Sequence, residues 1–398
     1  MKKQYQEDLE YFLDYVDRKR GKSLDKKYPN ESMHLDFYFL HSKNELNDFI
    51  SDFIKNNKVN DDYDFYYLMK CIIKYMSDYM DAHTNIIMNE NNNCYPLSIQ
   101  AINDKLYVTK CSKEDCSYSE LLEINKIPIK KILDEVEKCT CYGTKNWFLY
   151  KLHFCLNNKN MLLSLPSINS NSKYIEYKTS KGLIKYEIDK DYSKQLINIK
   201  KEEFNRYQIK NNILIFKYPR CIDKFAPDIK EIKKLIYNNN IDIFVLDLRG
   251  NTGGRSSIIE PLIKYLKNSK LKLVTLVNKT VFSSGRIAAV DMVRIGSKIV
   301  GQDIGTPINC FGYMLASDNL PNTKFSFTLS AVYWYENKHH IMKGIYTKTK
   351  LHKMPKSFFE PKFLKIDYCI DLTIKDYKSD ADVMLDKCCE WINSIFNK

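Results

Sequence analysis

The chain has 398 residues, 44% hydrophobic and 13% aromatic, which is ample for packed cores and longer than one ordinary core takes, so two or three domains are expected. Its formal charge of +13 comes almost wholly from lysines spread end to end, with eight arginines, so the clustered arginines and aromatics of a nucleic-acid surface are missing. No apolar run approaches the roughly eighteen residues of a membrane span, and Met1-Lys2-Lys3-Gln4-Tyr5 leads into no apolar stretch, so neither membrane nor secretion is expected and the compartment reads as cytoplasmic.

The first eighty residues read as helices. Tyr5, Leu9, Phe12, Leu13 and Val16 form one stripe at helical spacing. Ser42 and Glu45 make a capping box before Leu46, Phe49, Ile50 and Phe53. A third helix carries Leu68, Ile72, Tyr75, Met76 and Tyr79 and ends at Asp81-Ala82-His83-Thr84. From about 94 to 190 short strands alternate with turns, interrupted by one helix after Pro128. The stretch 189–211 is polar, without periodicity, and reads as a connector.

From Ile213 onward strands and helices alternate, which predicts an α/β layer with parallel strands. Lys324–Tyr335 reads as an antiparallel extension of that layer. The tail from Asp380 to Phe396 reads as an amphipathic helix burying Val383, Met384, Cys388, Trp391, Ile392 and Ile395. The twelve cysteines are expected as reduced thiols. Their closest grouping, Cys111, Cys116, Cys139, Cys141 and Cys155, lacks paired CxxC spacing, so buried thiols are expected rather than zinc.

Two segments carry chemistry. Phe244–Leu248 is an apolar strand running into Arg249-Gly250-Asn251-Thr252-Gly253-Gly254, and about thirty residues on Thr280-Val281-Phe282 leads into Ser283-Ser284-Gly285. Each reads as a strand ending in a tight turn before a helix, where free N–H groups and the helix dipole stabilise negative charge. Ser283 or Ser284 could equally be a helix cap, the usual role of serine there. The glycine turn lacks the Gly-Lys-Ser/Thr ending of a phosphate loop and the spacing of a dinucleotide fingerprint, so nucleotide binding is not expected. A serine nucleophile needs a base. Of His34, His41, His83, His153, His339, His340 and His352, His83 stands out, at a helix exit between Asp81 and Thr84.

Asp81-Ala82-His83-Thr84, Asp247 through Gly254 and Phe282-Ser283-Ser284-Gly285, in that order, resemble the C-terminal-processing (tail-specific) serine peptidases, in particular the His-containing branch related to the tricorn core. The resemblance spans nearly the whole chain. It implies an α/β fold: a ClpP/crotonase-like core over 191–398, a helical N-terminal cap over 1–88 and a small PDZ-like mixed domain over 89–190. Leu121–Ile129 resembles the end of a PDZ domain. By the same resemblance Ser283 is the nucleophile, His83 the general base, and the N–H of Ser284 with that of Gly253 or Gly254 the oxyanion hole.

Several residues depart from the family pattern. The family's Ser/Lys branch places its lysine about twenty-five residues after the serine, where this chain has Ile308; Lys298 reads as a surface residue. Arg286 stands where the family often has Glu, and Glu360-Pro361-Lys362 replaces its Pro-Asp. Glu336 is a candidate for the third catalytic residue by sequence distance alone. The expected activity is hydrolysis of peptide bonds in peptides or unfolded protein tails. It requires no metal or organic cofactor, and its partner is a peptide or protein substrate. The alternatives are a peptide-binding protein on the same fold without turnover, and acyl-group chemistry in a crotonase-like core.

Overall fold

The computed structural model describes residues 1–20, 43–77, 81–88, 94–192, 195, 205–336, 342–345 and 354–396. Ser42, Tyr79, His34, His41, His339, His340 and His352 lie outside these residues. Helices α1 (Lys3–Arg20), α2 (Lys43–Asn56) and α3 (Asp62–Met76) bury the stripes their spacing predicts: Tyr5, Leu9, Phe12 and Val16; Leu46 and Ile50; Leu68, Ile72 and Met76. Asp61 caps α3 by accepting the Asp64 N–H at 2.9 Å. The chain then turns through Asp81–Thr84 into a short strand, β1 (Asn85–Ile87).

The next unit is an antiparallel sheet of β2 (Leu97–Ile102), β3 (Lys105–Cys111), β4 (Ser119–Ile124), β5 (Ile127–Pro128), β6 (Tyr174–Thr179) and β7 (Gly182–Glu187), in the order β2-β3-β4-β6-β7 with β5 on β4. Asn103 and Asp104, both at positive φ, close the β2–β3 hairpin. Three helices accompany it where one was expected: α4 (Ile129–Lys138), α5 (Lys145–Asn157) and α6 (Lys159–Ser164). α5 escapes a periodicity reading because its aromatic and aliphatic residues are not confined to one stripe. Its start is nevertheless marked by Thr144, which accepts the Trp147 N–H at 3.1 Å. One continuous apolar core joins this unit to the N-terminal helices.

The α/β layer contains β8 (Tyr207–Lys210), β9 (Ile213–Lys217), β10 (Ile243–Asp247), β11 (Lys272–Val277) and β12 (Lys298–Gly301). β9 to β12 are parallel neighbours in chain order, and β8 folds back antiparallel on β9. Residues 207–210 are thus strand, not connector; β8 is a half-exposed edge strand whose structure comes from its pairing with β9 rather than from its own pattern. Helices α7 (Ile229–Asn238), α8 (Glu260–Lys267) and α9 (Ser284–Arg294) cover one face through Ile232, Leu262, Leu266, Ala288 and Met292.

Residues 310–336 do not extend this layer. β13 (Cys310–Asn319) and β14 (Ser326–Glu336) form a separate antiparallel sheet with β1 and with β15 (Met342–Ile345). Phe325, Phe327 and Leu329 give β14 one apolar face, and the N-terminal helices cover it: Phe12 and Tyr15 meet Phe327 edge-on at 5.0 Å, and Phe65 stacks near Phe325. The N-terminal segment is thereby fastened to a strand more than two hundred residues later, as the 245-residue separation of Thr328 and His83 shows.

The α/β layer is completed by β16 (Tyr368–Cys369) beside β12. After α10 (Ile374–Lys378), α11 (Val383–Phe396) covers the second face through Met384, Leu385, Cys388 and Ile392. Ile395 is 39% exposed rather than buried, while the adjacent Phe396 packs against this core in its place. Among the described residues no helix is long and apolar enough to cross a membrane.

Candidate active site

The two glycine- and serine-bearing turns lie side by side at the carboxyl ends of β10 and β11, the end of a parallel layer where chemistry usually sits. In the first, Asp247 and Arg249 are structural. The Arg249 guanidinium bonds Asp247 at 2.6–2.9 Å and Asp382 at 2.6–2.7 Å, tying the end of β10 to the start of α11. Burial pushes the Asp382 carboxyl up, but Arg249 outweighs it and holds the group below its ordinary range.

Asn251, fully buried, organises the rest of the turn. Its Nδ2 donates to the Tyr218 carbonyl at 2.7 Å, its Oδ1 accepts the Gly253 N–H at 2.9 Å, and its carbonyl accepts the Phe282 N–H at 3.0 Å. The second turn is pressed against the first. A Cβ on Gly285 would lie 2.5 Å from the Asn251 carbonyl oxygen, and one on Gly253 would lie 2.7 Å from Ser283 Cβ. Ser284 Oγ closes the contact by donating to the Gly254 carbonyl at 2.6 Å.

Ser283 occupies φ 51°, ψ −122° at the N-cap of α9, a conformation that L residues rarely adopt, and its side chain makes no capping bond. Its Oγ is uncommitted among the described residues. So are the N–H groups of Ser284, at the start of the helix, and of Gly254, whereas the Gly253 N–H is held by Asn251. A hydroxyl beside two unpaired N–H donors is an arrangement suited to acyl chemistry.

His83 reaches this place from the other end of the chain. Asp81 accepts the backbone N–H of His83 at 2.9 Å and of Thr84 at 3.1 Å, together with the hydroxyls of Thr84 and Ser330. Thr84 Oγ1 in turn accepts the Ser330 N–H of β14 at 2.9 Å. The Asp-Ala-His-Thr segment is therefore a hydrogen-bonded turn clamped to β14. The imidazole packs on the Phe282 ring at 4.5 Å, on the residue preceding Ser283, and a Cβ on Gly312 would come within 3.1 Å of it.

The Phe311 backbone favours the protonated ring, but among the described residues neither ring nitrogen has a partner at hydrogen-bonding distance. Burial lowers His83 to about 4; Asp81 opposes this, and Arg286 and Lys151 reinforce it. The imidazole is accordingly neutral at pH 7.

The other side of Phe282 stacks on Trp147 of α5, centroids 4.0 Å apart and nearly parallel. Trp147 is a site residue that sequence reasoning missed, its one signal a rare tryptophan just past a helix cap; Phe282 stood in the Phe282-Ser283-Ser284-Gly285 motif, but its ring contacts were not foreseen. Arg286 is buried, with Nη1 at 2.6 Å from Cys310 Sγ. Glu336 is not brought to the site. It pairs with Arg294 at 3.4 Å, at the opposite end of α9 from Ser283, and is 39% exposed. Lys298 is an exposed residue that pairs with Asp367 at 3.5 Å. Asn309 holds the backbone of Glu360 and Lys362, so that segment braces the start of β13.

No family model matches the sequence, and no curated protein sequence does. Among solved structures, mature CPAF is similar over 99% of this chain and 99% of its own, with a TM-score of 0.64 at 11% identity. Mature CPAF complexed with lactacystin is similar over 98% of this chain and 99% of its own, with a TM-score of 0.63 at 11% identity. The photosystem II D1 C-terminal processing protease covers 96% of this chain and 99% of its own length at a TM-score of 0.43 and 10% identity. The likeness to mature CPAF extends end to end and is one of fold.

Proposed function

We propose that this chain is a serine peptidase of the His-containing, tricorn-related branch, hydrolysing peptide bonds in peptides or unfolded protein tails. In this reading the parallel layer is the ClpP/crotonase-like core and the antiparallel unit the PDZ-like domain. The observation that carries it is Ser283: a serine in a strained backbone conformation, its hydroxyl unbonded, beside two uncommitted N–H groups and a turn that delivers a neutral histidine.

Ser283 Oγ attacks the peptide carbonyl while His83 takes its proton. The N–H groups of Ser284 and Gly254 hold the oxyanion, each contributing about 3 kcal/mol of barrier reduction. His83 then returns the proton to the leaving amine, and water completes hydrolysis by the same route. His83 and Ser283 share no hydrogen bond in this structure, so the two side chains must come together before proton transfer. Asp81 is the carboxylate that offsets charge on His83, in place of Glu336.

The test is mass spectrometry of a diverse peptide pool incubated with wild type and with Ser283→Ala. Cleavage by wild type alone supports the peptidase, and equal cleavage by both places the nucleophile elsewhere. Lactacystin, bound in a CPAF complex, is a second probe: an adduct on wild type absent from Ser283→Ala marks the same hydroxyl. A peptide-binding protein without turnover is the second reading, favoured by the lack of any side-chain partner on His83. It predicts peptides retained uncut by both proteins.

A further inference from the structure

Behind the His83 turn lies a cavity of about 290 Å³, open to solvent, between α3, β1, α5 and α6. Two lysines enter it. Lys70 Nζ contacts Asn85 Oδ1 at 3.3 Å and lies 5.4 Å over the Tyr66 ring. Lys151 Nζ donates to the Cys141 carbonyl at 2.9 Å and reaches the Ala82 carbonyl, within the His83 turn, at 3.5 Å. Among the described residues no carboxylate pairs with either ammonium. Burial pulls Lys151 below the ordinary lysine range, and the charge of Lys70 adds to that pull against the opposing Cys141, Cys155 and Asp81. Despite its burial, Lys70 is held above that range by Tyr66 and the neighbouring cysteines, so both ammonium charges face the pocket, repel one another and, among the described residues, contact only neutral acceptors. The lining also includes the apolar Ile87, Met88, Phe154 and Met161.

We propose that this pocket binds a small organic carboxylate on a short apolar stem, its oxygens between Lys70 and Lys151, and that occupancy acts on His83 through the Lys151–Ala82 contact. The carboxylate would be a negative charge in direct contact with both ammonium groups, and the stem would lie against the apolar lining residues. When it draws Lys151 towards itself, the ammonium leaves the Ala82 carbonyl and the turn that aims His83 loses one of its holds. The binding stands by itself; the action on His83 rests on the peptidase reading.

Isothermal calorimetry on the full chain tests the binding with three probes: 4-methylpentanoate, its amide and inorganic phosphate. Saturable binding of the carboxylate, none of the amide, and a loss of about tenfold or more in Lys70→Met are expected, since a charged hydrogen bond is removed. Lys70→Arg, which keeps the charge, should retain most of the affinity and shows that the loss is not one of folding. No binding of the carboxylate to wild type, equal binding of the amide, or equal affinity in Lys70→Met overturns the site; phosphate binding as tightly overturns the apolar stem. Peptide cleavage by wild type should shift with 4-methylpentanoate, and binding without any shift overturns the action on His83. A complete lack of cleavage counts against the peptidase reading and leaves the calorimetry decisive for the pocket.

Discussion

Ser283 holds φ 51° in a confined place: the Asn251 carbonyl fixes Phe282 before it, and Gly253 lies so close that a Cβ there would come within 2.7 Å of the Ser283 Cβ. A residue in that region costs about 1–3 kcal/mol unless it is glycine. Ser283→Gly should therefore be more stable than Ser283→Ala by about 1 kcal/mol in denaturant melts, with both inactive. Burial in the same region sets the pH behaviour of His83. A base must be neutral, so the acid limb of kcat/KM should lie near about 4 rather than at the ordinary 6.5. Arg286→Met removes a buried positive charge that lowers His83, and the limb should move up; an unmoved limb would show that Arg286 does not act on His83. Because the folded chain binds this proton less readily than the unfolded one, the stability linked to His83 is complete above about 6.5 and falls as pH drops towards 4.

At the scale of elements, α9 is positioned by a contact rather than by its own sequence. Gly285→Ala would ordinarily favour a helix by about 0.5–1 kcal/mol. Here its Cβ would meet the Asn251 carbonyl oxygen at 2.5 Å, a backbone atom that cannot yield without moving the first turn. Overpacking costs about 1–3 kcal/mol and wins. Gly285→Ala should melt lower than wild type and lose cleavage about tenfold or more, because the serine and the oxyanion donors sit on the two displaced turns. The melting curve and the initial rate of peptide cleavage check this together.

At the scale of the molecule, distant parts of the chain are held by a few buried polar ties. Arg249 joins β10 to α11 across 133 residues, with Asp247 only 3% exposed beneath it. Arg249→Met leaves that carboxylate buried and unpaired and should cost about 3–5 kcal/mol in urea melts; a change within experimental error would mean the pair contributes nothing net. The candidate active site is a similar junction, since His83 and Trp147, from two separate regions, both pack against the Phe282 ring of a third.

Much of this was legible along the chain: the N-terminal helical stripes, the alternation of β9 to β12 with helices, the two turns and the His83 motif. Local spacing records burial and turn chemistry, and those are properties of neighbours in sequence. It did not record α5, whose apolar residues are not confined to one stripe, or β8, whose order comes from its partner strand. Nor did it tell that Asp247 and Arg249 are a structural tie, that Gly253 gives its N–H to Asn251, or that Glu336 faces Arg294. The sequence by itself thus determined most of the helices and strands and the two tight turns, because short-range sterics and periodicity are written residue by residue. Only the tertiary structure decided which of those turns meet, which N–H groups stay free and how far burial lowers His83, because each depends on groups brought together from hundreds of residues apart.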